Sequence, residues 1–126
     1  MNETEHKPQY WLVGAAYGGQ DHQDEKFVEG GYWMLGWEEG KQTEKAKQIN
    51  VGDRIAIKRM MGSRSSTIRI KHIGIVKATV LDAGKVLCTV DWCVTGLDRV
   101  CESRGCFGSI HGPYPADDWT RTIFSL

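Results

Sequence analysis

At 126 residues, with 40% hydrophobic and 25% charged side chains, the chain has the makeup of a single globular domain. That balance excludes an intrinsically disordered protein. No apolar run is long enough to span a membrane, no secretory leader is visible, and a formal net charge of zero argues against strong nonspecific binding over the whole surface.

These features lead us to expect a frayed polar tail over 1–9, one domain over 10–126 and a cytoplasmic protein. Tyr10 to Ala16 reads as a first strand, with Trp11 and Leu12 on opposite faces, and small residues close it. A glycine-rich turn, Tyr17-Gly-Gly-Gln-Asp21, follows. Asp21 is placed to cap a short helix through about Glu29, with Asp24 and Glu25 in a first turn that suits the helix dipole. Gly30-Gly31 stops it. Tyr32 to Trp37 is an aromatic connector, and Thr43 is placed to cap a second short helix to Gln48.

From Val51 the hydrophobic period changes to two. Gly52-Asp53 makes a turn, after which Ile55 and Ile57 point one way while Ala56 and Lys58 point the other. Met60 to Thr67 is a polar connection. Ile68 to Val80 then reads as a long strand whose phase slips near Lys71-His72, which predicts a bulge. Asp82-Ala-Gly-Lys85 is a hairpin turn into a strand over Val86 to Trp92. Cys93 to Asp118 reads as irregular, and Trp119 to Phe124 as a closing strand. The class expected is α+β, mainly β: a small, bulged, partly open β-barrel with two short helices.

Charge and aromatic rings are unevenly distributed. Residues 51–80 hold seven bases against Asp53 alone, whereas 1–50 carry nine acids and five bases. Such a basic block suits phosphate contacts at one face, or an exposed solubilising hairpin. Of the twelve aromatic residues, seven precede residue 38. Flat rings crowded at one end suit stacking on a nucleobase. Tyr17, Trp33 and Trp37 are the candidate walls, although Trp11, Trp33 and Trp92 also read as core residues.

Catalytic signatures are missing. The histidines are scattered, and neither a nucleophile elbow nor a phosphate loop ending in Lys-Ser or Lys-Thr is present. The spacing of Cys88, Cys93, Cys101 and Cys106 does not suit a zinc knuckle, and Cys93 should face away from Cys88. Free thiols, no metal, no cofactor and no enzymatic activity are therefore expected.

Three stretches together carry a resemblance: Tyr10-Trp-Leu-Val-Gly-Ala-Ala-Tyr-Gly-Gly-Gln-Asp-His-Gln23, Phe27-Val-Glu-Gly-Gly-Tyr-Trp33 and Val51-Gly-Asp-Arg-Ile-Ala-Ile-Lys58. They resemble the EVE-type branch of the PUA superfamily, in particular the N-terminal modules of modification-dependent restriction ATPases and GTPases. The resemblance implies a barrel that accepts a flipped, modified base of DNA or RNA in an aromatic pocket. Carried onto this chain, it implies base contacts from Tyr17, Asp21, Trp33 and Trp37. Phosphate contacts would fall to Lys58, joined by Arg59 and Arg64 of the basic block. It also makes a separate nuclease or ATPase/GTPase effector a candidate partner, and no membrane is involved. The alternatives are a protein-interaction module using exposed aromatics, and a PUA-like RNA-binding domain indifferent to modification.

Overall fold

The computed structural model of the chain describes residues 7–17, 21–35, 41–60, 66–82, 85–106 and 108–125. β1 (Tyr10–Val13) leads into a small hairpin of β2 (Ala16–Tyr17) and β3 (Asp21–His22). Then come α1 (Asp24–Gly30), β4 (Tyr32–Met34), α2 (Lys41–Ala46) and β5 (Arg54–Met60). β6 (Thr67–Asp82), β7 (Lys85–Val94), β8 (Arg99–Glu102), β9 (Ile110–Tyr114) and α3 (Asp118–Phe124) complete the chain.

Seven strands form one mixed sheet in the order β4-β7-β6-β5-β1-β9, with β8 also on β6. β1 and β5 run parallel, and the other pairs are antiparallel. The ends of this path, β4 and β9, are not paired with each other among the described residues, so the sheet is open. The α+β, mainly β class therefore holds.

The alternation read from the sequence explains why β1 and β5 lie centrally. Trp11, Val13, Ile55 and Ile57 enter one core with Phe27, Trp33, Val76 and Cys88. Leu12 and Ala56 enter a second core with Ile68, Ile70, Cys101, Trp119 and Ile123. Strand segments buried on both faces need apolar residues at consecutive positions, as Trp11 to Val13 and Ile55 to Ile57 have.

The phase slip in β6 is a bulge. Ile57 pairs with His72 and Lys58 with Ile70, so Lys71 is the extra residue. There one edge of β6 changes partner: β8 takes Thr67 to Ile70, and β7 takes Ile73 onward. The Lys71 carbonyl accepts from Leu97 N–H at 2.8 Å, in the connection between those two partners. The 82–85 hairpin is also as expected, with Asp82 opposite Lys85.

Five expectations are corrected. Thr43 lies inside α2 rather than capping it. Asp21 lies in β3; α1 is instead preceded by Gln23, whose side chain makes no capping bond. The Tyr32–Trp37 connector contains β4, paired with β7. The stretch 93–118 contributes β8 and β9. The last element is a helix, giving three helices among the described residues rather than two. Asp117 caps α3 through Thr120 N–H at 2.9 Å, and Thr120 returns the bond to Asp117 N–H. That capping box outweighs the short apolar alternation of 119–124. At α1 the stop signal is as read: Gly31 ends the helix with φ of 69°, a left-handed cap that glycine adopts without strain.

All four cysteines are free; Cys88, Cys101 and Cys106 are buried and Cys93 is exposed. Burial pushes the Cys88 thiol up to about 12. Native protein given excess thiol reagent should take up one label quickly and the other three only on unfolding. Intact mass spectrometry counts the labels, and rapid uptake of more than one would contradict this packing.

Candidate functional site

The turn Val51-Gly-Asp53 is a structural joint. Asp53 is fully buried, and its carboxylate accepts from Gln9 N–H at 3.1 Å, Trp11 Nε1–H at 2.9 Å and Asn50 N–H at 2.9 Å. It thus ties the first strand to the start of β5. Gly52 has φ of 93°, which favours glycine, and its carbonyl accepts from Arg54. Two of the motifs that drew attention in the sequence are therefore hydrogen-bonded to each other.

Trp33 is a core residue. Its side chain has no solvent exposure, and Nε1–H donates to the Gly14 carbonyl at 2.9 Å. It presents no open face to a ligand, because β4 pairs with β7 and turns the ring inward against Phe27 and Cys88. Its bond to Gly14 fixes the point where the chain leaves β1 for the β2–β3 hairpin. Tyr17 and Asp21 face each other in register across that hairpin. Trp37 and Arg64 lie outside the described residues.

Lys58 is also buried, at 5% exposure. Its ammonium donates to the Gly108 carbonyl at 2.8 Å. Burial lowers its pKa to about 8, weakly opposed by Cys106. Gly108 N–H donates to His111 Nε2 at 2.7 Å, and Ile110 N–H to Gln42 Oε1 at 3.1 Å. Three side chains are thereby spent on ordering the backbone of 108–110. Lys58 is part of this internal support rather than a solvent-facing phosphate ligand.

Arg59, on the opposite side of β5, reaches a cleft. This cleft, of about 630 Å³, is lined by His22, Asp24, Glu25, Lys26, Arg59, Lys71 and His72. β3 supplies His22, the first turn of α1 supplies the next three, and β5 and the bulge of β6 supply the rest. Arg59 Nη2 donates to both oxygens of Asp24, at 3.1 and 3.0 Å. His72 Nε2 lies 3.7 Å from Asp24 Oδ2, and its ring meets Trp92 edge-on. Trp92 is anchored in turn by Nε1–H to the Phe27 carbonyl at 3.0 Å.

Burial is the main reason His72 sits below the usual histidine pKa; Asp24 opposes that shift and Lys71 reinforces it. Lys71 approaches the exposed Asp98 at 3.4 Å, and Lys26 has no ion-pair partner among the described residues. The wall thus carries three cations against two carboxylates, with two imidazoles between them.

Of the expected site residues, only Arg59 has a described side chain in this cleft. Lys71 belongs to the basic block, whereas no sequence motif marks His22, Asp24, Glu25, Lys26 and His72 as site residues. Its place in the first turn suits Asp24 to the helix dipole, yet its carboxylate is turned to Arg59. The one signal that could have flagged His72 is the phase slip beside it, since bulges redirect side chains. Among the described residues no group of three or more His, Cys, Asp or Glu side chains could hold a metal ion. No helix among the described residues is long and apolar enough to cross a membrane.

Comparison with models of known protein families finds no match, and no curated protein is detectably similar to the chain. The functional reading therefore rests on the residues themselves.

Proposed function

We propose that this chain is a non-catalytic nucleic-acid-binding module, a partly open barrel of the PUA/EVE kind, that reads a flipped, modified base. The observation that carries the reading is the concave cleft beside the β2–β3 hairpin. Arg59 and Lys71 of the basic block converge there with His22 and Lys26, rather than lying scattered over a solvated face. Cationic side chains in a concavity suit a phosphate backbone. Tyr17 and Asp21, paired in the hairpin, suit a base that has left its stack, and Trp37 is the remaining candidate wall.

The energetics agree with this division of labour. Flipping a base costs a few kcal/mol, and stacking it on a ring returns about 1–3 kcal/mol. A buried methyl group adds about 0.8 kcal/mol, roughly fourfold in affinity. Phosphate contacts supply the rest of the affinity without selectivity.

The test is anisotropy with short single- and double-stranded oligonucleotides carrying unmodified, methylated or hydroxymethylated bases, each titrated with salt. Lys26→Ala should weaken modified and unmodified strands alike and flatten the salt slope by about one phosphate contact. Because Lys26 has no ion-pair partner among the described residues, thermal stability should be unchanged. Tyr17→Ala should abolish the preference for the modified base and leave the salt slope intact. If wild-type protein binds none of these strands, the reading fails.

A further inference from the structure

A short relay of polar groups ends at Arg59. Gly96 N–H donates to His72 Nδ1 at 3.2 Å. With Nδ1 occupied as an acceptor, a neutral His72 carries its hydrogen on Nε2, the atom nearest Asp24. Asp24 in turn receives Arg59, but through one nitrogen only: Nη2 serves both carboxylate oxygens. Nη1 and Nε of Arg59 make no hydrogen bond among the described residues. His72 and Asp24 are shielded, at 12% and 10% side-chain exposure, whereas Arg59 is 37% exposed. Gly96 N–H holds the His72 end, and the other end is a guanidinium with unused donors on a residue that lines the cleft.

We propose that Asp24 and His72 are positioning residues that hold Arg59 so that its free Nη1 and Nε donors take the oxygens of a nucleic-acid phosphate. This rests on the nucleic-acid reading of the same cleft and adds how the cleft is oriented. Arginine suits the task because its donors point in several directions, so it can serve a carboxylate and a phosphate at once. A lysine in its place would be a single point charge, already engaged by Asp24.

The sign of one substitution separates positioning from simple charge. Asp24→Asn removes a negative charge from the cleft, so electrostatics alone predicts tighter binding of a polyanion. Positioning predicts weaker binding, by about fivefold, the size of coupling seen within a shared polar network. Anisotropy with a labelled mixed-sequence single strand, at fixed salt, reads the difference. Arg59→Lys should show a comparable loss, and adding Asp24→Asn to it should cost little more. His72→Gln keeps both an acceptor for Gly96 and a donor toward Asp24, so it should retain binding, whereas His72→Leu should lose it.

The nitrogen NMR shifts of His72 in the unliganded protein should show the tautomer protonated on Nε2. Tighter or unchanged binding by Asp24→Asn, in a wild-type background that binds, overturns the positioning role alone. So does a His72 ring protonated on Nδ1, whatever the protein binds. Failure of wild-type protein to bind any strand overturns the underlying reading and the positioning role with it.

Discussion

Asp53→Ala should destabilise the protein by about 3–5 kcal/mol, the largest loss expected from a substitution outside the apolar core. The carboxylate is fully buried and accepts from the Trp11 indole and two backbone N–H groups. Removing it strands those three donors away from water, at about 1–3 kcal/mol each, partly relieved by relaxation. Asp53→Asn should recover only part of the loss, because the amide nitrogen would face a donor on one side of the joint. For a chain of this size the alanine variant should melt more than about 10 °C lower. Thermal and urea unfolding check this, and Trp11→Phe should cost less in the Asp53→Ala background than in wild type. Independent, additive losses would mean that the indole–carboxylate bond does not join β1 to the turn.

The parts of the fold legible in the sequence are those governed by short-range period. Trp11 against Leu12, and Ile55 and Ile57 against Ala56, divide between the two cores as alternation dictates. The bulge at Lys71 announces itself as a break in that alternation. The closing segment, expected as a strand, is a helix: Trp119 and Ile123 suit a helix face as well as a strand, and Asp117 decides between them through its capping box.

Long-range placement was less legible. Arg59 and Asp24 are 35 positions apart in sequence, and only the sheet order brings α1 against the β5–β6 bulge. Trp33 shows the converse. A tryptophan flanked by glycine and polar residues has the look of a site residue, yet pairing of β4 with β7 buries it. Buried polar partners such as Gly108 for Lys58 leave no local trace in the sequence.

Lys58 leads to the second large effect. An ammonium at 5% exposure with one carbonyl partner is costly to bury, and the lowered pKa, about 8 against 10.5, expresses that cost. Between those two values the unfolded chain holds the proton and the folded chain does not, so stability should rise as pH increases from about 8 toward 10.5. Below pH 8 both states are protonated and the whole penalty, about 3 kcal/mol, is carried by the fold. His111 acts in the same sense at lower pH: burial, then Lys58 and Lys45, depress its pKa from 6.5 to about 4. Its contribution is therefore present above 6.5 and lost as pH falls toward 4.

Lys58→Met keeps the side-chain length and removes the buried charge. It forfeits the bond to Gly108, worth about 1 kcal/mol. At pH 7 the variant should still be more stable than wild type, by about 1–2 kcal/mol, and the difference should shrink and then reverse as pH approaches 10.5. Urea unfolding of both proteins from pH 7 to 10 is the measurement. Because the other alkaline-titrating groups are common to both chains, the difference between the curves isolates Lys58. A variant less stable at pH 7, with an alkaline profile parallel to wild type, would mean that the ammonium at Gly108 stabilises the 108–110 backbone by more than its burial costs.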